Sequence, residues 1–107
     1  VTITPIPPFR HQLKPLLKKY ASLAGELREL NGQLLITPTL GKSIGRGCYK
    51  IRLAIASKGT GKSGGARVII YVRVVGETVF LLAIYDKSEQ ASISDQQVRE
   101  LVAALVE

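Results

Sequence analysis

Two runs of alternating residues, Ala66–Val75 and Thr78–Asp86, flank Gly76-Glu77, and no other feature of the sequence restricts the fold so strongly. Alternation with a period of two sends successive side chains to opposite faces of a strand. A glycine-first pair between two such runs predicts a hairpin with a two-residue turn. One face of this hairpin is almost wholly apolar: Val68, Ile70, Val72, Val74, Val79, Leu81, Ala83 and Tyr85. The other mixes Arg67, Tyr71, Arg73 and Asp86 with Ile69, Phe80, Leu82 and Ile84. The short turn would set Val75 opposite Thr78, Arg73 opposite Phe80, Ile69 opposite Ile84, and Arg67 opposite Asp86. Surface this apolar has to be covered by helices.

Those helices are legible upstream. Phe9, Leu13, Leu16, Leu17 and Tyr20 recur at helical spacing, so residues 8–20 read as a helix opened by Pro8 and bent at Pro15. Ser22 is placed to cap a second helix whose stripe is Leu23, Leu27, Leu30 and Leu34. Val1–Thr4 alternates as a short strand. The turn-rich segment Thr37–Gly47 and the glycine-rich segment Ser57–Gly65 read as loops. Between them Tyr49, Ile51, Leu53 and Ile55 alternate with Lys50, Arg52 and Ala54, a strand with one apolar and one basic face. Ser94-Asp-Gln-Gln97 is a capping box that opens a C-terminal helix striped by Val98, Leu101, Val102 and Leu105, which is expected to cover the apolar part of the mixed face. The pattern predicts an α+β fold: one domain over residues 1–107, a small twisted antiparallel sheet with an N-terminal helical hairpin on one face, and a closing C-terminal helix.

Charge narrows the function. Fifteen Lys/Arg against eight Asp/Glu give a net charge of +7 and an isoelectric point near 9.9. No acid lies between Glu29 and Glu77, yet Lys42, Arg46, Lys50, Arg52, Lys58, Lys62, Arg67 and Arg73 all do. Cations concentrated in this way point to a polyanionic partner. The balance of 46% apolar and 21% charged residues excludes a disordered chain. The longest apolar run, Val79–Tyr85, is too short for a membrane span, so no membrane partner is expected. A single cysteine, Cys48, offers neither an internal disulfide nor a metal set and fits a reducing, cytoplasmic setting. His11, the one histidine, falls on the polar side of the first helix without a catalytic partner in pattern. No metal or cofactor is expected.

Gly59-Thr-Gly-Lys-Ser63 invites comparison with a nucleotide-binding P-loop and does not meet it. Ala56 stands where the first glycine is required, and a strand follows instead of the helix whose amides would hold phosphate. Lys50 and Arg52 form the stronger site. Two residues apart on a strand, they point the same way about 7 Å apart, and Arg67 at the start of the next strand is expected to share their face. Fixed cations there suit the charge that develops on a phosphate under attack by a neighbouring 2′-hydroxyl, and Lys50, crowded by two arginines, is suited to act as the base. Pairing of Arg67 with Asp86 would instead make the arginine structural. Arg46, Lys58, Lys62 and Arg73 are expected to meet the backbone phosphates of a nucleic acid. Lys87 and Glu89, just past the last strand, are candidates for the proton donor, while Tyr85 is expected in the core.

Lys18-Lys-Tyr-Ala-Ser-Leu23, Thr37-Pro-Thr-Leu-Gly41, Gly47-Cys-Tyr-Lys-Ile-Arg-Leu53, Lys62-Ser-Gly-Gly-Ala-Arg-Val68 and Ile84-Tyr-Asp-Lys-Ser-Glu89 together resemble the RelE/ParE toxins of bacterial type II toxin–antitoxin systems. The likeness runs through nearly the whole chain in order. It implies a ribosome-dependent, metal-independent endoribonuclease that cuts mRNA and thereby inhibits translation, silenced in a hetero-oligomer with a cognate antitoxin. Matched residue by residue, the basic pair falls on Lys50 and Arg52, and the arginine opening the next strand on Arg67. RelE-type enzymes carry an arginine after the last strand and a tyrosine near the C-terminal end, where this chain has Lys87-Ser88 and Ser94. The glycine-rich segment is longer than in compact members. ParE-like relatives share the fold, poison DNA gyrase and lack the basic set, so a gyrase inhibitor or a silent antitoxin-binding protein is the alternative.

Overall fold

A computed structural model describes residues 1–74 and 76–105. The elements in chain order are β1 (Thr2–Pro5), α1 (Pro7–Lys19), α2 (Leu23–Ile36), β2 (Lys42–Gly45), β3 (Cys48–Leu53), β4 (Ala66–Arg73), β5 (Thr78–Asp86) and α3 (Asp95–Ala103), with a short 3-10 turn at Ala56–Lys58. Pro7 and Pro8 start α1 where a missing N–H costs nothing. Phe9 and Leu16 on α1, with Leu23, Leu30 and Leu34 on α2, are buried in one core with Val68, Ile70, Val79, Leu81 and Ile84 of the sheet. The expected α+β arrangement is present.

The sheet order is β1-β5-β4-β3-β2. β1 runs parallel to β5 and the remaining pairs are antiparallel, so the sheet is mixed where an antiparallel one was expected. A parallel neighbour needs a long connection, and here every element from α1 to β4 intervenes. β2 lies inside the segment expected to be loop. Gly41 makes this possible: its φ is +100°, and a Cβ there would sit 2.6 Å from the Lys50 carbonyl oxygen. The glycine lets the chain turn close beside β3, which puts Lys42 opposite Lys50.

The hairpin register also differs from expectation. Arg73 pairs with Thr78, so the connection is longer than two residues; Val75, expected opposite Thr78, lies outside the described residues. Tyr71 pairs with Phe80 and Ile70 with Leu81, after which Ile69 pairs with Ala83 and Leu82 is left as an extra residue. One extra residue inverts every face beyond it. Tyr85 therefore stands opposite Arg67, on the basic face and not on the helix-covered face assigned to it by alternation, though it is buried as expected. Asp86 stands opposite Ala66 on the helix-covered face, and the expected Arg67–Asp86 pair does not form. Beyond the end of β1, the Ile84 N–H donates to Gln12 Oε1 at 3.0 Å, so α1 satisfies an edge that β1 does not reach.

Both helix starts at serine can be compared. At Ser94 the capping box is complete: the Gln97 N–H donates to Ser94 Oγ at 3.1 Å, and the Ser94 N–H donates to Gln97 Oε1 at 3.0 Å. Ser22 occupies the cap position of α2 but makes no cap bond; its hydroxyl instead meets Glu26 at 3.1 Å and Ser57 at 2.9 Å. Val98 is buried, and Arg73 donates to the Leu105 carbonyl at 3.3 Å, which lays α3 over the Tyr71–Phe80 end of the basic face.

Candidate functional site

The pairing of β3 with β4 builds the site. Arg52 stands directly across from Arg67, and Lys50 across from Ile69, so Lys50, Arg52 and Arg67 share the face turned away from α1 and α2. A groove of about 870 Å³ opens here, and Lys42, Lys50, Arg52, Lys62, Arg67 and Lys87 all line it. Glu26, Glu29, Leu30 and Gln33 of α2 line it as well, with Ile51 and Leu53, so the groove reaches from this face around the β2–β3 edge to the helical layer. Lys42, one of the clustered cations, was given no place in the site by sequence reasoning, because its strand reads as turn chemistry.

Arg67 is only 5% exposed. Its guanidinium donates to the carbonyls of Lys62 at 2.9 Å, Ala66 at 3.1 Å and Ser63 at 3.3 Å. A guanidinium has five N–H donors, and these three bonds leave two for a ligand. Among the described residues no carboxylate pairs with it. A buried cation neutralised only by carbonyl dipoles is expensive, and an anion entering the groove offsets that cost. The glycine-rich segment thus serves the site by supplying two of the three acceptors. Gly65 anchors its end: a Cβ there would lie 2.1 Å from the Leu53 carbonyl oxygen, and its own carbonyl accepts the Lys87 N–H at 2.9 Å. Lys87 is held further by donation from Nζ to the Ala91 carbonyl at 2.6 Å. Tyr85, turned to this face by the bulge, is 6% exposed, and among the described residues its hydroxyl has no hydrogen-bond partner. Burial pushes its phenol up, against the pull of the Arg67 charge.

Other candidates lie elsewhere. Lys58, expected at RNA, points inward: its Nζ meets Asp86 Oδ1 at 2.5 Å and Ser88 Oγ at 3.0 Å, and its side chain is 12% exposed. The cause is Asp86, fully buried by the bulge, which also accepts from the Tyr20 hydroxyl at 2.5 Å. Burial works against the Asp86 charge, but the bonds from Lys58, Tyr20 and Ser88 outweigh it and hold the carboxyl well below the usual carboxylate range. Arg73 is half-buried over the Phe80 ring, 5.4 Å from its centroid, with its guanidinium at the end of α3. Arg46 sits at the β2–β3 turn with a φ of 59° and reaches Asp95 at 3.5 Å. His11 is exposed on α1. Cys48 is buried, and burial pushes its thiol up. Among the described residues no group of three His, Cys, Asp or Glu could hold a metal, and no helix is long and apolar enough to cross a membrane.

The fold, a five-stranded mixed sheet with three helices, is shared with a solved toxin. The structure of E. coli toxin RelE, a double arginine-to-alanine mutant in the free state, matches with a TM-score of 0.61 at 20% identity, covering 96% of this chain and 95% of that one. That likeness defines the fold. Residues 37–105 match the model of the RelE toxin of the RelE / RelB toxin–antitoxin system, and the chain belongs to that family. It is a toxin of a toxin–antitoxin system.

Proposed function

We propose that this toxin is a ribosome-dependent endoribonuclease that cleaves mRNA without a metal and is silenced by a cognate antitoxin. The observation that carries the reading is Arg52 facing Arg67 across β3–β4, with Lys50 two residues along and, among the described residues, no carboxylate paired to the buried guanidinium. In the proposed reaction Lys50 takes the proton of a ribose 2′-hydroxyl. The oxygen attacks the adjacent phosphorus, an O2′–P bond forms and the P–O5′ bond breaks. Arg52 and Arg67 stabilise the added negative charge on the phosphorane, and Lys87 supplies the proton to the departing 5′-oxygen. Products are a 2′,3′-cyclic phosphate and a 5′-hydroxyl. Lys62 and Arg46 contact the RNA backbone.

Primer extension on a translated mRNA after induced expression tests this. Cuts should appear in phase with codons and vanish when translation initiation is blocked. DNA-damage signalling with intact mRNA would sink the reading in favour of a gyrase inhibitor.

A further inference from the structure

The groove does not account for all of the clustered cations. Helix α1, Pro-Pro-Phe-Arg-His-Gln-Leu-Lys-Pro-Leu-Leu-Lys-Lys, contains no acidic residue. Arg10, Lys14 and Lys18 recur every fourth residue, all exposed, in a row of roughly 12 Å at the helical rise of 1.5 Å per residue. Among the described residues no carboxylate lies within ion-pair distance of any of the three, whereas Lys19 beside them is taken up by Glu89 at 3.2 Å. The arrangement works against the helix itself. Like charges at i, i+4 repel, and Arg10 lies in the first turn, where the helix dipole opposes a cation.

We infer that the Arg10–Lys14–Lys18 row is a second RNA-binding surface that grips the phosphate backbone of a folded RNA, separate from the groove that holds the strand to be cut. The row and the groove point in different directions. α1 lies on the face of the sheet that carries Asp86, through the Tyr20–Asp86 bond, and Arg52 and Arg67 point to the other. The chain can therefore engage two RNA segments at once.

The surroundings of the row select RNA. Phe9 and Leu16 of α1 are buried against the sheet, so the helix has no apolar side left to enter a bilayer. A protein partner needs an apolar patch at the centre of its footprint, and the one large apolar side chain exposed on α1 is Leu17, at 39%. Phosphate backbones are bound by charge alone. The choice of a folded RNA rests on reading the chain as a toxin that acts on translation.

The test is binding of the full chain to purified bacterial ribosomes over a salt series from roughly 50 to 200 mM. For the Arg10→Gln/Lys14→Gln/Lys18→Gln variant, affinity at low salt should fall by about tenfold or more, and the slope of log K against log salt should become shallower by about two to three. Its melting temperature should hold or rise, and the cleavage rate of ribosome-saturated toxin should be unchanged. An Arg10→Lys/Lys14→Arg/Lys18→Arg variant should keep the wild-type slope. Unchanged ribosome affinity and slope in the glutamine variant would overturn the inference. So would unchanged ribosome binding accompanied by loss of binding to a co-expressed antitoxin or to phosphatidylglycerol vesicles, which would assign the row to that partner. Wild-type chain that binds ribosomes with the full slope and cuts no mRNA would defeat the nuclease reading and leave this surface standing.

Discussion

Arg52→Ala should slow mRNA cleavage by roughly 100-fold or more, an effect of about 3 kcal/mol on the transition state. Arg52 is exposed and faces away from the core, so its removal should leave the melting temperature nearly unchanged. Lys50→Ala should act similarly, and the double mutant should be inert. Lys62→Ala should differ, weakening binding modestly in a manner that added salt reproduces, because an exposed lysine acts through screened charge. Arg67→Ala should also abolish cleavage, but it frees the carbonyls of Lys62 and Ser63 and leaves Asp86 paired, so any stability loss arises in the glycine-rich segment. Single-turnover cleavage with a thermal melt on each variant separates the cases. A Lys50→Ala/Arg52→Ala variant that cuts at the wild-type rate would move the active face to Lys87 and its neighbours.

Lys58→Met should be strongly destabilising. It leaves the buried Asp86 carboxylate with Tyr20, Ser88 and the more distant Lys19 at 3.9 Å. Removing one partner of a buried ion pair costs about 3–5 kcal/mol, which lowers the melting temperature by roughly 15 °C for a chain of this size. Lys58→Met/Asp86→Leu should recover most of that loss, because two apolar groups leave no orphan charge. The same carboxyl sets an acid limit. Its folded pKa is depressed, so its contribution is fully present above the unfolded carboxylate value of about 3.9 and is lost as pH falls further toward the folded value. Asp86→Asn should remove that part of the acid dependence, read from melting temperatures across acid pH. A Lys58→Met chain as stable as wild type would show that the pair is dispensable.

How much of this was legible in the sequence differs by element. Period and punctuation sufficed for α1, α2, β3 and the α3 capping box, since each depends on residues within a few positions of one another. They also placed Lys50 and Arg52 on one face, because alternation on β3 is unbroken from Cys48 to Leu53. Register was another matter. Whether Leu82 is a ladder residue or a bulge is decided by which of Tyr85 and Asp86 can be satisfied on the helix side, and Asp86 finds Tyr20 and Lys58 there. Those partners lie 66 and 28 residues away in sequence, beyond any local pattern. The same distance hid the true role of Lys58, whose neighbours in sequence are those of a solvated loop. β2 was hidden differently: Gly41 and Gly45 look like turn residues, and the use of Gly41 beside β3 depends on the Lys50 carbonyl being there.

The bulge at Leu82 gives a single backbone irregularity control over the polarity of the groove. Were Leu82 instead taken into the ladder opposite Ile69, the strand beyond it would turn over. The carboxylate now clasped by Tyr20 and Lys58 would project among Lys50, Arg52 and Arg67, and the phenol would take its place beneath α1. The toxin would then carry its own counterion at the proposed phosphate site. Whether one residue is counted into the ladder or left out of it decides whether the groove holds a phenol or a carboxylate.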